Sequence, residues 1–168
     1  MNKKNRTVAF LGLCTTLALI LAYVEILLGP LFPAIPGIKM GLPNIVIMFL
    51  LYRKGLPSAI CVSLVRIILV GILFGNAMSF VYSLAGAVLS LALMALLRHF
   101  GIMSAVGVSV AGGVMHNLGQ VLTAMFLLDT TELAYYMAIL AVTGTIAGIL
   151  VGLCSAILVK KIPAKLFA

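Results

Sequence analysis

Six apolar segments follow one another along this chain, with short connections between them and almost no charge inside them. Only 8% of the residues are charged, whereas soluble domains carry about 25%. Too few polar residues remain to cover a water-facing surface. We therefore expect an all-α integral membrane protein, a single domain over 1–168 with six transmembrane helices. The segments cover about 7–28, 42–52, 57–73, 80–97, 102–128 and 133–159.

The second segment is shorter than the others. Roughly 20 residues are needed to cross the hydrocarbon core, and 42–52 falls well short of that. It continues into the preceding loop, or lies where the protein is thin, or does not cross completely. The preceding loop, 29–41, is rich in proline and glycine, which end helices. Because it is still largely apolar, it is predicted to fold over the mouth of the bundle as a capping loop.

The distribution of charge predicts the orientation. With six crossings, every lysine and arginine except Lys39 and Arg66 falls on one side, and Asp129 and Glu132 fall on the other. The positive-inside rule then places both termini in the cytoplasm. The net charge of +8 is thus a topology signal, and no nucleic-acid partner is expected. The residues on the basic side are Lys3, Lys4, Arg6, Arg53, Lys54, Arg98, Lys160, Lys161 and Lys165.

The fifth segment carries polar side chains at membrane depth. His116 and Gln120 are four residues apart and Asn117 and Gln120 three apart, so a helix presents all three on roughly one side. Polar groups at this depth are costly unless they meet a partner, a cavity or a ligand. An interhelical hydrogen bond would account for His116 alone. For the three together, a binding site is favoured.

Arg66 lies near the middle of the third segment. A guanidinium stays charged in proteins, and a charge at this depth costs several kcal/mol by most estimates. Three explanations are open. Arg66 forms an ion pair with Glu25, the only acidic residue within a predicted helix; or it is the counter-charge for a carboxylate or phosphate ligand; or it faces water alone.

Other polar residues lie toward one end of the predicted helices. Glu25 falls near the outer end of the first helix, and Asn44 near the outer start of the second. Lys39 and Asn76 fall in outer loops, whereas the cytoplasmic half is almost purely apolar between its basic ends. This asymmetry predicts a cavity that opens outward and is closed inward.

Two sets of small residues indicate close helix contacts. Gly144, Gly148 and Gly152 recur every fourth residue in the last helix, and Ala18 and Ala22 form a similar pair in the first. Either set serves packing within the chain, or else the docking of a second membrane protein or self-association.

Motifs for catalysis are missing from the sequence. It has no phosphate-binding Gly-x4-Gly-Lys-Ser/Thr loop, and its three acidic residues are too few for an aspartate-rich magnesium diphosphate site. No cysteine and histidine spacing indicates zinc or haem. We therefore expect no metal, no cofactor and no enzymatic activity in isolation.

Four strings together resemble a family of small bacterial membrane proteins called heptaprenyl diphosphate synthase component I, or the Gx transporter family. They are PGIKMGLPN at 36–44, RIILVGILFG at 66–75, SFVYSLAG at 79–86 and GVSVAGGVMHNLGQ at 107–120. The resemblance covers nearly the whole chain. That family is similar to the substrate-binding S components of energy-coupling factor transporters.

The resemblance implies an S-component-like fold, in which the long first loop caps an outward-facing site. It also implies docking on a T component and its ATPases through an Ala-x3-Ala pair, matched by Ala18 and Ala22. The implied function is uptake of a small anionic or amphipathic ligand, isoprenoid-, quinone- or vitamin-like, across the bacterial cytoplasmic membrane. The substrate-site prediction comprises Glu25, Lys39, Asn44, Arg66, Asn76, His116, Asn117 and Gln120.

The family name leaves a second interpretation open. The chain would then be a non-catalytic membrane subunit of a prenyl diphosphate synthase, or of a flavin-linked electron-transfer complex. Its partner would be that synthase or flavoprotein, instead of a T component with ATPase subunits.

Overall fold

The structure is a computed structural model that describes residues 2–28 and 40–163. Within these ranges the only regular structure is helical, which confirms the all-α prediction. The predicted capping loop lies outside the described ranges except for Met40 and Gly41, and Lys39 lies outside them as well. The helices are α1 (Lys3–Leu28), α2 (Asn44–Arg53), α3 (Leu56–Phe74), α4 (Ala77–Phe100), α5 (Ala105–Leu128) and α6 (Met137–Lys161), with a 3-10 helix (Glu132–Tyr136) before α6.

Among the described helices, α1, α3, α4, α5 and α6 are long and apolar enough to cross a membrane. Large apolar side chains such as Leu13, Ile72 and Phe126 are 68%, 75% and 85% exposed on these helices. Water-facing surfaces rarely carry such extensive apolar area, so these faces suit contact with lipid. The chain is a membrane protein whose described residues contain five candidate spans, and the number of six crossings stays a prediction. The cytoplasmic placement of the termini stays a prediction.

α2 is a ten-residue helix enclosed by protein. Its residues 46–51 are all buried, as expected for a helix that is apolar on every side and lies inside a core. Ten residues rise about 15 Å, roughly half the thickness of the hydrocarbon core. Of the alternatives for this segment, the structure therefore favours a helix that does not cross the bilayer by itself.

Arginine contacts bring several basic helix ends together, at what we call the basic end of the bundle. Arg53 Nη2, at the end of α2, donates hydrogen bonds to the carbonyls of Val159 and Ile162 at the end of α6. The Arg98 guanidinium, near the end of α4, lies 5.3 Å from the centre of the Tyr52 ring. Cations at helix C-termini offset the helix dipole, so these arginines stabilise the ends that they contact.

The glycine strip of α6 lies in the seam between α5 and α6. A Cβ atom at Gly148 would lie 2.6 Å from Val110 Cα, and one at Gly152 would lie 2.9 Å from Val106 Cα. A Cβ at Gly144 would likewise meet the backbone of α5 within 3.1 Å. Residues without a side chain let two helix backbones approach this closely. The strip thus serves packing within the chain, the first of the two interpretations given above.

Ala18 and Ala22 are also buried, with 0% and 6% of their surfaces exposed. Their helix, α1, packs against α3 and α2, and the short alanine side chains allow neighbouring elements of the same chain to cover them. They offer no surface to a partner in this structure. That this pair forms a docking face stays a prediction.

Candidate ligand-binding site

All six α-helices contribute to a cavity inside the bundle, which we call the Arg66 cavity. α5 packs between α4 and α6, and α2 packs against both α6 and α3, so the helices close around it. The cavity offers about 80 Å³ to water-sized molecules, which is room for a few waters. Six of the predicted site residues line it: Glu25, Asn44, Arg66, His116, Asn117 and Gln120.

Among the described residues that line this cavity, Arg66 is the only basic side chain apart from the imidazole of His116. It lies ten positions after the start of α3 at Leu56, or about 15 Å along the helix. Its Nε is buried and has no hydrogen-bond partner among the described residues. A buried charged donor without an acceptor is costly. The cavity therefore lacks one acceptor that an anion would supply.

Glu25 is the only acidic side chain that the described residues contribute to the lining. Its Oε1 accepts a 2.8 Å hydrogen bond from the backbone N–H of Gly41, which ties α1 to the segment before α2. The carboxylate also interacts electrostatically with Arg66. This attraction offsets part of the cost of the buried guanidinium, but it gives Arg66 Nε no acceptor.

The start of α2 faces the same cavity, since Pro43 and Asn44 belong to its lining. A helix N-terminus carries a partial positive charge, which favours nearby anions. The N–H groups of Asn44 and Ile45 already bond to the carbonyls of Gly41 and Leu42, at 2.8 and 3.1 Å. α2 therefore adds a favourable field for an anion, while the hydrogen bonds must come from side chains such as Arg66.

Two glycines bring α4 and α5 together beside the polar residues. A Cβ atom at Gly86 would lie 2.7 Å from His116 O and 3.0 Å from Gln120 Cγ. A Cβ atom at Gly119 would lie 3.0 Å from Gly86 Cα. His116 and Gln120 thus lie against the backbone of α4, which holds them at the wall of the cavity.

Asn117 has a structural contact as well as a place in the lining. Its Nδ2 donates a 2.7 Å hydrogen bond to the carbonyl of Leu140 in α6. An interhelical hydrogen bond of the kind considered for His116 is thus observed for its neighbour Asn117. This amide links α5 to α6 and leaves its side-chain oxygen as the group available to the cavity.

We expect Asn117→Ala to lower the free energy of unfolding by about 0.6 kcal/mol, the average for interhelical hydrogen bonds in membranes, and by no more than about 1.7 kcal/mol, the maximum. The matched control is Thr123→Ala, which removes a bond from Thr123 Oγ1 to Gly119 O within the same helix (2.8 Å). Unfolding by denaturing detergent in bicelles measures both. An equal loss in the two variants would contradict the importance of the contact with α6.

Asn76 lies at a different place from the other predicted site residues. Its side-chain oxygen accepts a 2.8 Å hydrogen bond from Ser79 N and caps the start of α4. It lines a neighbouring cavity of about 540 Å³, which we call the apolar cavity, and not the Arg66 cavity. The structure does not place Asn76 in the lining of the Arg66 cavity, and its part in ligand binding stays a prediction.

Serines, methionines and glycines complete the Arg66 cavity and were absent from the sequence prediction. Ser83 and Ser90 are seven residues apart on α4, and Ser109 and His116 are seven apart on α5. Residues at this spacing lie on the same face of a helix. A spacing of seven residues from polar positions already recognised could therefore have identified these serines in the sequence. The added lining residues are Met40, Gly41, Pro43, Met48, Ser83, Ser90, Met94, Ser109, Gly112, Gly113, Gly144, Ala147, Gly148 and Val151.

The sequence matches a known protein family. A family model described as "Heptaprenyl diphosphate synthase component I" matches residues 14–158, a range that includes every residue named above in the cavity lining. Searches of curated proteins and of solved structures gave no match.

Proposed function

Because the chain belongs to the heptaprenyl diphosphate synthase component I family, we propose that it is a membrane-embedded binding subunit that works with partner proteins. It binds the anionic group of a small ligand in the Arg66 cavity. Arg66 supplies the positive charge, and Glu25, Asn44, His116, Asn117 and Gln120 supply polar groups around it. The ligand is anionic or amphipathic, with a carboxylate or phosphate as the group that contacts Arg66.

The buried Nε of Arg66, without a hydrogen-bond partner among the described residues, is the observation that carries this proposal. Arg53 Nε is also buried without a partner among the described residues, but the Nη2 of the same guanidinium bonds to the carbonyls of Val159 and Ile162 at a basic helix end. Arg66 lies instead in a cavity that has room for a small anion. Carboxylates and phosphates match the planar donor array of a guanidinium.

Uptake by an S-component-like mechanism is the fuller form of the proposal. The ligand enters from the side opposite the basic end and leaves toward the basic end, which the positive-inside rule assigns to the cytoplasm of a bacterial cell. A T component and ATPase subunits supply the energy. The capping loop, with Lys39, closes over the ligand. Docking on the T component through Ala18 and Ala22, which are buried in this structure, stays part of the proposal.

Small anions and their neutral analogues test the binding site directly. The purified protein in lipid nanodiscs is heated with methyl phosphate, acetate, acetamide or methylammonium. We expect the two anions to raise the unfolding midpoint, because a ligand at 100 times its Kd stabilises the folded state by about 2.7 kcal/mol. Acetamide and methylammonium should leave the midpoint unchanged. An equal response to all four compounds would exclude an anion site.

A second candidate function follows from the family description, which names one component of a prenyl diphosphate synthase. The chain would then be the non-catalytic membrane subunit that binds the second component, and the anion at Arg66 would be the diphosphate of the prenyl substrate or product. A flavin-linked electron-transfer complex is a further partner class. Copurification from membranes separates these possibilities by recovering a T component with ATPases, a prenyl synthase or a flavoprotein.

A further inference from the structure

The apolar cavity lies beside the Arg66 cavity, at the end of the bundle opposite the basic end. Its volume of about 540 Å³ falls within the range of small-molecule sites. Aliphatic side chains such as Val121, Ala124, Leu128 and Leu133 form much of its wall, and none of the described residues that line it is charged. This surface suits a hydrocarbon group and gives no counter-charge to an ion.

The two cavities share part of their walls. Ser83 of α4 and Gln120 of α5 line both of them. α4 and α5 approach most closely next to these residues, where a Cβ atom at Gly119 would lie 3.0 Å from Gly86 Cα. Residues 76–83 precede Gly86 along the chain, and residues 120–128 follow Gly119. The apolar cavity therefore lies between α4 and α5 beyond their contact, on the side away from the basic end.

The two cavities differ in size, so each suits a different part of an amphipathic molecule. The Arg66 cavity, at about 80 Å³, has room for a carboxylate or phosphate group in place of a few waters. It has no room for the remainder of a larger amphipathic molecule. The apolar cavity is several times larger and begins at the same two side chains.

We infer that the two cavities bind one amphipathic anion together. Its head lies at Arg66, and its hydrocarbon chain passes Ser83 and Gln120 into the apolar cavity. Ala124, on the wall of the apolar cavity, limits the length of the chain because a larger side chain there would fill the space. The inference rests on the proposed function, since the head is the anion assigned to Arg66.

A series of n-alkyl phosphates, from methyl to dodecyl, tests this inference. Binding is measured by titration calorimetry on the protein in nanodiscs of phosphatidylcholine, which exclude anionic lipids as a competing source of the same head group. Empty nanodiscs provide the correction for partition into lipid. The proteins compared are the wild type, Arg66→Gln, Ala124→Phe and the milder Ala124→Leu. Leu122→Phe is the matched control, because Leu122 is on the same helix and 47% exposed.

For the wild type we expect affinity to rise about fourfold for each added methylene, and then to stop rising when the chain fills the apolar cavity. For Ala124→Phe, the affinity should stop rising at a chain several carbons shorter. Ala124→Leu should lie between Ala124→Phe and the wild type. Methyl phosphate should bind these variants within about twofold of the wild type. Leu122→Phe should behave as the wild type does.

Three other outcomes would contradict the shared binding of one ligand, and they differ in what they say about the anion site at Arg66. If methyl phosphate binds through Arg66 but the Ala124 variants show the wild-type dependence on chain length, the apolar cavity is not the chain site and the proposed function stands. If long alkyl phosphates bind Arg66→Gln as tightly as the wild type, the chain binds independently of the head, as a lipid tail would. If Arg66→Gln changes binding at no chain length, the proposed function fails together with the inference. Unfolding midpoints confirm that each variant is folded.

Discussion

Replacing Arg66 with glutamine is expected to weaken binding of small anions by roughly 10- to 150-fold. A hydrogen bond to a charged group contributes about 1.5 to 3 kcal/mol, and each 1.4 kcal/mol is a factor of ten in affinity. Glutamine keeps much of the side-chain length and a hydrogen-bond donor but removes the charge. Titration of methyl phosphate into the purified protein in nanodiscs measures the loss.

Two further variants separate this effect from a general loss of positive charge. Arg6→Gln removes a charge from the exposed start of α1 and should leave the affinity unchanged. Arg66→Lys keeps the charge but loses the planar donor array, so we expect an intermediate affinity. The assignment of Arg66 fails if Arg66→Gln binds methyl phosphate as the wild type does, or if Arg6→Gln weakens binding equally.

Replacing Gly148 with alanine is expected to destabilise the fold by about 1 to 3 kcal/mol, the usual cost of added volume in a well-packed core. The new Cβ atom would lie 2.6 Å from Val110 Cα and 3.0 Å from Ser109 O. These are backbone atoms, which cannot rotate away as a side chain does. α5 and α6 must therefore separate. Unfolding by denaturing detergent in bicelles measures the change in free energy.

Gly12→Ala in α1 is the matched control, because a Cβ atom there has nothing within 4 Å. Alanine is favoured over glycine inside a helix by up to about 1 kcal/mol, so this variant should be as stable as the wild type or slightly more so. Similar destabilisation at both positions would mean that the loss comes from the substitution itself and not from the seam between α5 and α6.

The positions of the helices follow from hydrophobic composition, but their ends depend on single capping residues. Asn76 and Ser104 accept hydrogen bonds from Ser79 N and Gly107 N, so α4 begins earlier than its apolar segment suggests and α5 begins later. The 3-10 helix Glu132–Tyr136 separates the start of α6 from the apolar run that was assigned to it. Hydropathy cannot detect these local changes.

The grouping of Arg66 with Glu25, Asn44 and the polar residues of the fifth segment could be predicted, because each of these side chains is costly at membrane depth unless it has a polar or charged partner. The small residues gave less information. A pair such as Ala18 and Ala22 indicates a close contact without indicating which neighbour makes it. The size of the two cavities was also outside the reach of sequence, since it depends on how closely the glycines bring α4, α5 and α6 together.

The enclosed position of α2 has a consequence for the order in which the protein assembles. α2 is too short to be held by lipid alone, and its contacts include a 3.1 Å hydrogen bond from Ser155 Oγ of α6 to Ile45 O. Arg53 at its other end binds the last turn of α6. Since α6 is synthesised after the other described helices, α2 gains its full cover only once α6 has been inserted. The Arg66 cavity, whose walls include α2 and α6, therefore forms only after that step, and a ribosome-bound chain that ends before α6 would not hold it.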